Sequence, residues 1–274
     1  ETAPEAIPGL EDHGFDVYSN AGARAAGSAL EQISTGARIV VAIFGSPYKC
    51  PPAPFELALL LRQRLIDDKV DVALVTPLEM SLPILGQSGC DVIEGRLAGM
   101  LIDLHRGVPP VAVHPGELEL ADGQRLGFDL LLAVPPHRVP SVVVEAGLAE
   151  EGGWVPVDAR TMATVKPGVW AVGDVTAVQM NNGKPLPKAG AFAQGGGEVA
   201  AAQIAAFLGG PSADDRFEAH GTCYLETGDG EAMMVTGHFL AEPVPDVELT
   251  PPSVDAMAQK DDYERTKLAE WFGG

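Results

Sequence analysis

The chain has 274 residues, 46% hydrophobic and 20% charged, a balance that belongs to globular rather than disordered proteins. Its net charge of −20 argues against nucleic acid as a partner and against electrostatic docking on anionic lipid. No apolar run approaches the ~18 residues of a membrane-crossing helix. Three cysteines do not make a disulfide scaffold, so the redox compartment stays open.

In chain order, residues 1–19 read as a proline-containing linker and 21–35 as a helix. Arg38 to Phe44 (RIVVAIF) is a β-branched apolar run expected to form a buried strand. The turn Gly45 to Glu56 (GSPYKCPPAPFE) follows, then leucines at helical spacing to Ile66. Cys50 thus sits between strand and helix, and Pro51, Pro52 and Pro54 stiffen its turn. A helix N-terminus and Lys49 would both favour its thiolate; a buried, inert cysteine is the alternative.

Val70 to Thr76 reads as a second strand and Ile93 to His105 as a helix. Asp122-Gly123 between Glu117–Leu120 and Arg125–Leu126 signals a hairpin. Lys166 to Val175 (KPGVWAVGDV) reads as a turn, a short apolar strand and then Gly173-Asp174. In an open α/β sheet ligands gather at that end of a strand, where a glycine admits close approach and a carboxylate can accept from ribose or ribityl hydroxyls. Pro185 to Gly190 opens an alanine-rich helix running to about Leu208, with Lys188 offering positive potential at its start. Gly195 to Ala200 matches G-x-G-x-x-A but lies inside that helix, so small residues for close packing are the better reading.

Thr222–Glu226 and Ala232–Phe239 form a second expected hairpin, carrying Cys223. Met257 to Phe272 is mostly charged, with an apolar edge of Tyr263, Leu268, Trp271 and Phe272 that could dock on the protein or dip into lipid. His105, His114, His220 and His238 have no metal-ligand spacing, and no metal is expected. His137 is a minor candidate, and Cys90 reads as structural.

The segments YKCPPAPFE, VWAVGDV and PLPKAGAFAQ together resemble the sulfide:quinone oxidoreductase and flavocytochrome c sulfide dehydrogenase branch of the FAD-dependent pyridine nucleotide-disulfide oxidoreductases. The resemblance runs from Ile7 to Gly273. It implies an α/β, Rossmann-like flavoprotein with two dinucleotide-binding domains and a small C-terminal α+β domain. FAD would be held by Gly173, Asp174, Lys188 and Ala189. Cys50 and Cys223 would be the redox pair and Glu56 the proton acceptor, with an ordinary first-turn acid as the alternative for Glu56. The substrate would be sulfide or another small sulfur species, with a quinone or cytochrome as electron acceptor.

The chain departs from that pattern in two ways. No glycine fingerprint precedes Arg38, so it reads as lacking the first FAD-binding half, with poor FAD binding and no activity expected of this chain alone. A further cysteine that many sulfide:quinone oxidoreductases carry has no counterpart between Val17 and Arg24.

The implied units are 1–37, a linker and helix leaving the FAD domain; 38–123, the second Rossmann-like domain; 124–210, the rest of the FAD domain; and 211–274, a C-terminal domain. A cytoplasmic or peripheral membrane location would be compatible. Two other functions stay open: a catalytically idle flavin-binding or interaction protein of the same fold, and an NAD(P)H-dependent disulfide reductase. Gly45-Ser46-Pro47, where a glycine fingerprint would be needed, weighs against the second.

Overall fold

The computed structural model describes residues 1–211 and 216–273; residues 212–215 and 274 of the expected C-terminal unit lie outside the described residues. The chain begins with α1 (Leu10–His13), β1 (Phe15–Asp16) and α2 (Asn20–Leu30), the last capped by Ser19, whose hydroxyl accepts from Gly22 N. Next come β2 (Arg38–Ile43), α3 (Ala53–Arg64), β3 (Asp71–Thr76), α4 (Gly86–Gly99) and β4 (Asp103–Arg106). A three-stranded antiparallel meander follows, β5 (Pro110–His114), β6 (Glu117–Leu120) and β7 (Arg125–Gly127), and then β8 (Leu130–Val134).

The architecture is α/β and Rossmann-like: a parallel sheet in the order β1-β8-β2-β3-β4. Parallel strands are covered on both faces, which is why β2 and β8 are continuous apolar runs. Side chains alternate between the two coverings. Ile39, Val41, Ile43 and Leu132 pack with Phe55, Leu59, Ile93 and Leu97 of the helices. Val40, Ala42, Leu131 and Ala133 pack with Leu10 and the meander's Val113, Leu118 and Leu120.

Two expectations are corrected here. The division at 123/124 assigned Phe128 onward to the FAD domain, but β8 pairs with β2 from Ile39↔Leu130 to Ile43↔Val134. It is fixed there at its start, where the Arg38 amide donates to Asp129 Oδ2 at 2.7 Å and Asp129 N donates to Arg38 O. The helix expected over Ile93–His105 instead ends at Gly99, and Leu101 turns through a left-handed conformation (φ 58°) so that Asp103–Arg106 joins the sheet edge beside β3.

Beyond β8 the chain forms α5 (Ser141–Glu145) and two short paired strands, β9 (Val155–Pro156) and β10 (Thr176–Ala177). The strand expected before Gly173 is reduced to one bridge, Ala163↔Trp170, since among the described residues no strand lies alongside to complete a ladder. Helix α6 (Gly190–Phe207) leads to the antiparallel sheet β11 (His220–Gly228), β12 (Glu231–His238) and β13 (Asp246–Leu249), and α7 (Val254–Phe272) closes the described chain. Leu225 and Met233 of this sheet join the core around Phe55, docking β11 onto α3. Within α6, a Cβ on Gly195 would touch Phe217 at 3.4 Å and one on Gly196 would meet Met162 at 3.3 Å, as expected of packing glycines.

Candidate active site

Three segments distant in sequence converge at the Cys50 turn. Its backbone is held from several directions: Cys50 N donates to Lys188 O at 2.7 Å, Ala53 N to Cys50 O at 3.0 Å, and the Tyr18 hydroxyl to Cys50 O at 3.1 Å. Cys50 itself adopts φ 50°, an unfavourable conformation for a non-glycine residue that these contacts sustain. Lys49 and Lys188 form a parallel bridge, joining the cysteine turn to the start of α6.

Both cysteines are free. Cys50 is exposed; Cys223, opposite Val235 in the β11–β12 ladder, is half-buried. Burial, and after it a negative charge on Cys50, pushes the Cys223 thiol up to about 11.

The thiolate expected at Cys50 is not what its surroundings favour. Crowding of protein around the thiol raises its pKa, Glu56 and Asp174 raise it too, and the Ala53 amide and Lys260 pull it down. Lys49, expected to assist, instead donates from Nζ to Tyr18 O at 3.0 Å.

Glu56 lies in the first turn of α3 but reaches across to β11, where its Oε2 accepts from Glu226 N at 2.7 Å. Lys260 of α7 stands 3.9 Å from Glu56 Oε1 and pairs with the Glu226 carboxylate. Burial raises the Glu56 pKa; the Glu226 amide and Lys260 act against that rise. A carboxylate with a raised pKa beside a thiol suits proton transfer.

Gly173 has φ 74° and sits so close to α6 that a Cβ would meet Ala193 Cβ at 3.2 Å. Asp174 lies within electrostatic reach of both Cys50 and Lys188. Lys188 does not point outward as the sequence suggests. It is 7% exposed, donating from Nζ to Asp174 O at 2.5 Å and Thr176 O at 3.3 Å, with the Trp154 ring centroid 3.5 Å away. Burial lowers its pKa to about 8. Ala189 is the N-cap residue of α6, and no side chain caps that end.

These groups meet the needs of a flavin unevenly. The uncapped amides of α6 suit the polar, electron-accepting edge of the ring and Asp174 suits hydroxyls of the ribityl chain. Lys188, turned under Trp154, does not contribute as placed, and the cavity among Gly173, Asp174 and Lys188 has a volume of about 20 Å³, room for about one water. A larger apolar cavity of about 390 Å³ flanks the cysteine turn, lined by Tyr48, Pro51, Leu82, Ile84, Met180 and Leu186 among others.

His137 stands behind the turn, its ring 5.4 Å from Tyr18 and 6.5 Å from Tyr48. Burial lowers its pKa, and Nδ1 bonds Pro135 O at 2.9 Å. Cys90 is fully buried and donates to Leu82 O, in keeping with a structural role. Among the described residues no cluster of His, Cys, Asp and Glu could hold a metal ion, and no helix is long and apolar enough to cross a membrane. Sequence reading missed Glu226, Lys260, Tyr18 and Trp154. A lysine in a charged helix and a glutamate in a hairpin look alike whether solvated or paired.

No family model matches the chain. Among solved structures it is similar to the sulfide:quinone oxidoreductase of the hyperthermophilic bacterium Aquifex aeolicus, with a TM-score of 0.80 and 18% identity, covering 100% of this chain and 71% of that one. It is also similar to a chain of the Tetrahymena thermophila mitochondrial ATP synthase (TM-score 0.68, 16% identity, 90% and 63% covered). A third likeness is to an NAD-dependent persulfide reductase from A. fulgidus (TM-score 0.62, 18% identity, 86% and 42% covered). At these identities the likeness is one of fold.

Proposed function

We propose that the chain belongs to an FAD-dependent sulfur oxidoreductase of the sulfide:quinone oxidoreductase type, with Cys50 and Cys223 as its redox pair. The observation that carries this reading is the convergence of two free thiols from distant segments: the Cys50 turn leads into α3, and β11, which carries Cys223, packs on α3 and donates from Glu226 N to Glu56 Oε2 at 2.7 Å. In the oxidised pair a hydrosulfide ion attacks Cys50, the exposed sulfur. The S–S bond breaks, a new S–S bond forms to the incoming sulfur, and Cys223 leaves with the bonding electrons. The incoming sulfur is oxidised and the disulfide reduced by two electrons; Glu56 takes the proton of the new persulfide. A second hydrosulfide would take the outer sulfur of the persulfide and leave as a disulfide ion, freeing Cys50 as a thiolate; bound FAD would supply the two-electron sink for return of the two cysteines to the disulfide, and a quinone or cytochrome would take the electrons onward. Gly173, Asp174 and the α6 amides at Ala189 would hold it, and Lys188 would need to leave Trp154 to contribute.

The test is flavin absorbance of the FAD-loaded chain mixed with sulfide in stopped flow. Bleaching that disappears in both Cys50→Ser and Cys223→Ser supports the reading; bleaching at the parent rate in both overturns it. A second reading, a catalytically idle flavin-binding or interaction protein, is supported by the fold's occurrence in an ATP synthase assembly. Stoichiometric FAD uptake with no sulfide-dependent bleaching in the parent chain would select it.

A further inference from the structure

In the proposed sulfur chemistry Cys50 must stand as a thiolate amid negative charge before the disulfide re-forms. Facing it are Glu56 of α3, Asp174 from the turn before β10, Cys223 from β11 and the phenols of Tyr18 and Tyr48, while Glu226 of β11 faces Glu56. The lysine adjacent in sequence is committed to Tyr18 O. The cation that does act on Cys50 comes from α7, far along the chain: Lys260, paired with Glu226 and 3.9 Å from Glu56. All three side chains of this cluster are about a quarter exposed, so solvent screens them only in part.

The cluster is also a mechanical joint. Glu56 belongs to α3, Glu226 to β11 and Lys260 to α7, and the Glu226 amide ties the first two together at 2.7 Å. Without the lysine, two carboxylates would face each other beside a thiol with no compensating charge.

We infer that Lys260 is a positioning residue for the sulfur site: it holds Glu56 and Glu226 in one closed cluster and supplies the positive charge against which the Cys50 thiolate forms. The inference rests on the sulfur oxidoreductase reading for its purpose, but its test does not require turnover. Iodoacetamide alkylation of Cys50 is followed across neutral to alkaline pH in the full chain carrying Cys223→Ser, with peptide mass spectrometry separating Cys50 from the buried Cys90.

Lys260→Met should move the alkylation profile to higher pH and slow the reaction about two- to fivefold at mildly alkaline pH, the scale of a partly screened charge contact. Lys260→Arg should restore it. Glu226→Gln, which keeps the backbone amide that Glu56 accepts, removes a competing charge and should move the profile the other way. It also serves if Lys260→Met fails to fold, as judged by thermal unfolding. Opposite displacements support the inference, as does the Glu226→Gln displacement alone should Lys260→Met not fold. Profiles of both folded variants superimposing on the parent, or a Glu226→Gln profile unmoved, would overturn it. A failure of the sulfur reading itself would appear separately, as sulfide-dependent bleaching that survives Cys50→Ser.

Discussion

The parallel sheet and the segment from Trp154 to Ala189 hold their backbones in different ways. In β2, β3 and β8 most side chains are at or near zero exposure, and each strand has a neighbour on both sides. Between Trp154 and Ala189 no strand exceeds two residues, and shape comes from tethers: Lys188 to Asp174 O and Thr176 O, Asp158 to the Arg160 and Thr161 amides, and Asn181 to Leu240 O and Ala241 O. The sheet is a scaffold that packing determines. The second segment carries the candidate cofactor residues on backbone whose position depends on a few side chains.

The sharpest test of that contrast is a core truncation. Phe55→Ala, at a fully buried site between the parallel sheet and the β11–β13 sheet, should cost about 3–5 kcal/mol in urea unfolding. A cost near zero would mean that Phe55 does not join the two sheets in one core.

The next effect concerns Lys188. Its folded pKa of about 8 lies below the ordinary lysine value of 10.5, so between these values the unfolded chain binds a proton that the folded chain does not. Stability contributed at this site therefore rises with pH across that window and is flat below it. The unfolding free energy of the parent minus that of Lys188→Met should increase by about 2 kcal/mol from pH 8 to 10.5, the full span being discounted for partial screening. A difference independent of pH would mean that the lysine is solvated and the tether absent.

Asp174→Ala should leave urea unfolding nearly unchanged, because its carboxylate supports no packed core. It should weaken FAD binding by about 1–2 kcal/mol in a flavin fluorescence titration. Equal affinity would remove Asp174 from the cofactor site. The smallest effect is expected at Trp170, which packs edge-on against Phe207 at 5.5 Å and is joined to Ala163 by a single bridge. Trp170→Phe should cost under about 1 kcal/mol. A loss as large as that of Phe55→Ala would erase the distinction between the two regions.

Much of this was legible in consecutive residues. The run Arg38–Phe44 and the proline turn around Cys50 specify a buried strand and a stiff connection, because their signals are steric and local. The Gly228-Asp229-Gly230 turn takes positive φ at all three residues, and it joins β11 to β12 where the hairpin was expected. The break after α6 is likewise local, at Gly209 with φ 92°.

What the sequence left undecided was which surfaces meet. Phe128–Val134 is an apolar strand in any sheet, and only pairing with β2 decides its own. Lys188 is a cation on paper, and Trp154 decides that it faces inward. Glu56, Glu226 and Lys260 come together because β11, whose Leu225 shares a core with Phe55, docks on α3 and α7 follows. Those contacts form through burial of apolar area, a non-directional force that no short run of residues encodes.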